Sequence, residues 1–112
     1  MTPTANTAQP LHSTLGNDPD LREIVELFVE EMPDRVSRLL DRLNASDWEG
    51  LRRVAHQLKG AAGSYGFEPI TLSAARAEDA IRASRPEEEI RKSIDELADL
   101  CQRALAHPSS QP

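Results

Sequence analysis

His56 is the side chain of this 112-residue sequence best placed to do chemistry. A neutral imidazole is a good nucleophile near pH 7, because its unperturbed pKa is about 6.5. Attack on phosphorus gives a phosphoramidate and brings new negative charge onto the surrounding surface. Lys59 follows three residues later and Arg52 lies four residues earlier. On a helix these side chains share one surface. The Lys59 ammonium can offset phosphoryl charge and donate hydrogen bonds to it, and Arg52 or Arg53 can assist through longer reach. Gly60 and Gly63 stand four and seven residues beyond His56. Each costs a helix roughly 1 kcal/mol relative to alanine, so the pair gives up about 2 kcal/mol of a net stability of order 5–15 kcal/mol. That loss clears side chains from one side of the imidazole, where another protein surface has to come close. Tight packing against a neighbouring helix, or a fraying helix end, is the competing explanation for Gly63 and Gly66. Ser64 adds a hydroxyl nearby.

Other reactive residues form no constellation. His12 and His107 lie in the terminal stretches, and no two histidines are spaced for a metal site. Glu87, Glu88 and Glu89 read as helix-start charge, Ser37 and Ser84 have no companion base, and Cys101 has no partner for a disulfide. Trp48 and Phe67 read as packing anchors. There is no glycine-rich nucleotide loop, so any phosphate reaching His56 comes from another protein.

The elements that position His56 are helices. With about 100° per residue and Leu51 at zero, Val54, Ala55, Leu58 and Ala62 fall within about 60°, and His56 points about 140° away, toward solvent. This helix covers about 47–65, with Ser46 or Asp47 as its cap and Gly66 near its end. Ahead of it, Leu21, Val25, Phe28, Met32, Val36, Leu39 and Leu43 recur every three or four residues, one buried stripe over about 18–43. Asn17 or Asp18 caps that stretch. Pro33 interrupts it, and because the apolar phase continues past the proline, a kink is expected rather than a split. A third helix starts near Pro69 with Ile70, Ala74, Ala77 and Ile81 inward. A fourth follows Pro86 with Ile90, Ile94, Leu97, Cys101 and Leu105 inward. No strand signal is present. The expectation is an all-α antiparallel up-down four-helix bundle over 17–106, between flexible tails at 1–16 and 107–112.

Composition narrows the function classes. The net charge of −6 argues against nucleic acid as a partner, although eleven arginines leave room for a local basic patch. No apolar run approaches the roughly 18–20 residues needed to cross a bilayer, and the start lacks a signal-peptide pattern, so a cytoplasmic protein is expected. Nothing suggests the extra apolar surface of a dimerising bundle, and a monomer is expected.

The run Ala55-His56-Gln57-Leu58-Lys59-Gly60-Ala61-Ala62-Gly63-Ser64-Tyr65-Gly66 resembles the signature of histidine-containing phosphotransfer (HPt) domains. That signature is a His, two residues, Lys-Gly, small residues and a second Gly. The resemblance spans about 17–106 and includes Leu27-Phe28-Val29-Glu30-Glu31-Met32-Pro33, similar to the proline-bearing helix before the histidine helix of that family. It implies His56 as the phosphorylated residue, Lys59 as its charge partner and Gly60 as clearance for docking. Arg52, Arg53, Gly63 and Ser64 complete the expected docking surface. Ala61 and Ala62 depart from the serines frequent in the family. The implied function is a phosphocarrier, not an enzyme in its own right, that shuttles a phosphoryl group between receiver-domain aspartates of response regulators or a hybrid histidine kinase. It needs no cofactor, the Mg²⁺ residing on the receiver. The rival readings are a helical adaptor that carries no phosphate, and a hydrolase using His56 as general base, for which no carboxylate stands at a fixed helical spacing.

Overall fold

A computed structural model of the chain describes residues 10–105. Five helical segments, α1 (Pro19–Glu30), α2 (Met32–Asn44), α3 (Trp48–Ser64), α4 (Glu68–Arg82) and α5 (Glu87–Gln102), lie between two short strands, β1 (Leu11–His12) and β2 (Ala104–Leu105). Helices α2 to α5 form an antiparallel four-helix bundle in which α3 packs on α2 and α4, and α5 on α4 and α2. Among the described residues no helix is long and apolar enough to cross a membrane.

The first apolar stretch is bent, as its proline dictates. Pro33 supplies no N–H, and the helix is interrupted at Glu31, which keeps near-helical angles (φ −83°, ψ −7°). The stripe therefore stays in phase across the bend: Val25, Phe28, Met32, Val36, Leu39 and Leu43 are all buried. Before the bend, α1 packs its Phe28 where α3 ends and α4 begins. There Phe28 meets Tyr65 at 4.9 Å and Phe67 at 5.7 Å between ring centroids, and the Arg35 guanidinium stands 5.2 Å from the Phe28 centroid. Asp18 caps α1 by accepting from the Asp20 amide, and Asp47 caps α3 by accepting from the Gly50 amide. Ser46 and Ser84, each with φ 54°, turn the chain after α2 and α4. The core is built from the inward residues of these helices, including Leu51, Ala55, Leu58, Ala62, Ile70, Ile94 and Leu97. Trp48 and Phe67 join it as expected, Phe67 fully buried and Trp48 packed half-buried against it.

Two expectations are corrected. The strands, for which no signal was found, pair in parallel with Leu11 opposite Ala104 and His12 opposite Leu105. Two residues per strand are too few to show alternation. The expected N-terminal tail at 1–16 is also too long, because residues 10–16 lie against the bundle. The buried Ser13 donates from Oγ to the Tyr65 carbonyl at 2.6 Å, and the Thr14 amide donates to the Gly66 carbonyl at 2.9 Å. Gly66 is required here. Its φ is +81°, and a Cβ would come within 2.7 Å of both the Ser13 and Thr14 hydroxyls. Residues 1–9 and 106–112, which contain the rest of both expected tails and His107, lie outside the described residues.

Candidate functional site

His56 stands at mid-helix on α3 with its side chain 58% exposed, on the outer surface where the helical projection places it. Its Nδ1 is 2.9 Å from Oε2 of Glu78 on α4, a carboxylate only 1% exposed. The same carboxylate gathers three cationic side chains. Lys59 Nζ lies 2.9 Å from Oε1, Arg82 Nη2 2.9 Å from Oε2, and Arg52 Nη1 3.8 Å from Oε2. The seam between α3 and α4 thus hides one negative charge beneath an imidazole and a ring of cations.

Burial alone would push the Glu78 carboxyl upward, since it disfavours the charged form. The hydrogen bond from Lys59 outweighs burial, the bond from His56 adds to it, and the carboxyl is held below its ordinary value. An ionised carboxylate only accepts hydrogen bonds, so Nδ1 carries the imidazole proton and donates it to Glu78. In the neutral ring the lone pair is then on Nε2. The arrangement presents one defined nucleophilic nitrogen from a side chain that water and a partner can both reach.

The expected site residues divide into those gathered around this seam and those held elsewhere. Lys59 is at the seam, but it is already paired with Glu78, where the sequence reading left it free for phosphate alone. Arg52 makes its shortest contact with Glu49, at 2.7 Å, and reaches Glu78 only at its edge. Arg53 is well exposed and 3.7 Å from Glu49, so its charge faces solvent. Ser64 donates to the carbonyl of Gly60 at 3.1 Å, a bond within the helix. At Gly60 a Cβ would meet nothing within 4 Å, so the position is open surface in the fold. At Gly63 a Cβ would touch Thr71 Oγ1 at 3.5 Å, an ordinary contact, so tight packing demands neither glycine.

Glu78 is the residue that sequence reasoning missed. The apolar stripe of α4 was read as Ile70, Ala74, Ala77 and Ile81, and position 78 falls between these, four residues after Ala74 and three before Ile81. A carboxylate in the buried phase of a helix needs partners, and that was the available signal. Its partner on α3, 22 residues away, is set by helix packing alone.

A family model describing the Hpt domain matches residues 23–107, most of the chain. No curated protein and no solved structure gave a match. The matched segment contains the bend, the histidine helix with Lys59 and Gly60, and the helix that brings Glu78 beneath His56. A bundle of this topology with a match of this extent has one assignment: the chain belongs to the Hpt-domain family, whose members serve histidine phosphotransfer in phosphorelays as phosphocarriers.

Proposed function

We propose that His56 accepts a phosphoryl group at Nε2 from the aspartyl phosphate of a receiver domain and passes it to the aspartate of another. The observation that carries this reading is the 2.9 Å contact between Nδ1 and the buried Glu78 carboxylate, on an imidazole that is otherwise exposed. In the forward step the Nε2 lone pair attacks phosphorus, the bond from phosphorus to the aspartyl oxygen breaks, and the aspartate leaves as its carboxylate. The proton on Nδ1 stays in place. The phosphorylated ring then carries positive charge, which the Glu78 carboxylate stabilises from beneath. Reversal returns a neutral imidazole, so the carrier consumes no proton in either direction. Lys59 and Arg82 stand close enough to share their charge between Glu78 and an arriving phosphoryl group. Gly60 leaves room for the partner's surface. In this reading the receiver brings the Mg²⁺, and the carrier needs no cofactor of its own. A hybrid histidine kinase that carries a receiver is a partner of the same chemistry.

The test is label transfer. Incubation with a panel of phosphorylated receivers should give acid-labile, alkali-stable label on the wild-type chain and none on His56→Gln. Equal labelling of the variant would move the phosphoryl group to another residue and overturn the assignment of His56, and no labelling of the wild type by any receiver would leave only a helical adaptor that binds without carrying phosphate.

A further inference from the structure

The solvent face of α4 has no partner in the fold, and its residue pattern is self-complementary. Leu72 is 51% exposed, one of the most exposed large apolar side chains among the described residues. Glu68 lies four residues before it and Arg76 four residues after it, both exposed, so the three form one ridge along the helix. A shallow groove runs beside this ridge, lined by Glu68, Pro69, Leu72, Arg76 and Leu100 of α5. Neither Glu68 nor Arg76 makes an ion pair within the described chain, in contrast to the acidic and basic residues at the turns of α5.

We infer that this ridge is a homodimer surface, with a second copy of the chain as its occupant. A two-fold axis through Leu72 turns the order Glu-Leu-Arg into Arg-Leu-Glu on the facing helix. Leu72 then meets Leu72 of the other copy beside Leu100, Glu68 faces Arg76 of the other copy, and Arg76 faces Glu68. Only an antiparallel pairing of two identical helices satisfies both charges at once, the self-matching that an isologous interface requires. Ridges formed by residues four apart pack side by side in the commonest helix–helix geometry. Two such ridges bury less than a standard interface, which puts the dimer in the weak, concentration-dependent class. On an ideal helix Leu72 lies about 120° around α4 from Glu78, so the pairing leaves both His56 surfaces open. A monomer was expected from the sequence because no extensive apolar surface is evident. One leucine flanked by opposite charges is too small a feature to register in that way.

The experiment is sedimentation velocity on the whole chain from about 10 μM to about 1 mM, the range in which a weak interface populates. The wild type should shift from monomer toward dimer. Leu72→Asp should remain monomeric with unchanged helical circular dichroism, as expected of an exposed position. Glu68→Arg and Arg76→Glu should each weaken the dimer by about tenfold or more, because each sets like charges against one another twice. The double variant Glu68→Arg with Arg76→Glu restores the complementarity and should return dimerisation to within a few-fold of wild type. A chain that stays monomeric throughout, or a double variant no better than the singles, would overturn the proposal. So would a monomeric chain in which Leu72→Asp instead weakens receiver binding, since that assigns the face to the receiver.

Discussion

The ion pairs of α5 and those around Glu78 use the same chemical groups at the same distances, yet they do different things. On and beside α5, Arg85 pairs with Glu89 at 2.9 Å and Arg91 with Glu87 at 3.1 Å, each within one helical turn and each half in water. Exposed pairs of this kind are screened and contribute little to stability. In the α3–α4 seam one carboxylate is withdrawn from water, and everything that contacts it must donate. Burial turns an ordinary ion pair into a device that sets which nitrogen of His56 carries the proton. The difference lies in where the acceptor sits, not in how many charges meet.

The most disruptive way to break that comparison is Glu78→Ala. It should cost about 1–3 kcal/mol in denaturant unfolding, since several hydrogen bonds to a charged group go at once while their donors recover water. It should also slow phosphoryl transfer to His56 by about tenfold, the equivalent of about 1.4 kcal/mol in the barrier. Glu78→Gln separates orientation from charge. Its carbonyl can still accept from Nδ1, so transfer should fall less than in the alanine variant, whereas Lys59 and Arg82 lose their counter-charge.

The same variant carries a pH signature. Because the folded-state carboxyl titrates below its ordinary value of 4.5, its ionised form stabilises the fold above that pH. This contribution disappears as pH falls through the lower folded value. Stability of the wild type measured from pH 6 downward should therefore drop more steeply in that acid range than stability of Glu78→Gln.

A smaller effect is expected at Gly60→Ala. Its Cβ meets nothing, so the variant should gain roughly 0.5–1 kcal/mol of stability from helix propensity. Docking should suffer, visible as a higher receiver concentration for half-maximal transfer. An unchanged transfer curve would show that the open space at Gly60 does not serve a partner. The smallest change belongs to Arg91→Ala on α5, within about 0.5 kcal/mol in stability and neutral in transfer. A large loss there would erase the contrast between the two sets of pairs.

The bundle was legible because its information is local. Apolar stripes at three- and four-residue spacing, Asp18 and Asp47 as caps, and the bend at Pro33 all follow from residues within a turn or two of one another. The outward direction of His56 follows from the same arithmetic. What a single helix cannot reveal is which side chain a neighbouring helix brings alongside. Lys59 and Arg52 were therefore assigned to a phosphoryl group, when each already holds a carboxylate in the fold. Glu78 went unseen for the same reason. Residues 10–16 escaped because their attachment rests on a two-residue strand pairing, on Leu11 and Leu15 against the core, and on Ser13, Thr14 and Gly66, contacts too few to leave a periodic trace.

The pairing of Leu11 with Ala104 joins residues from opposite ends of the described chain, whereas α3 is tied to α2 and α4, its neighbours in sequence. Closing so long a loop forfeits more chain entropy than closing any helical turn. The bundle can consolidate before this closure, and the closure can come undone while the bundle persists. In hydrogen exchange the amides of Leu11 and Thr14 should then lose protection ahead of those in mid-α3. A histidine carried on α3 keeps its geometry through such openings, because none of the contacts that orient it passes through the clasp.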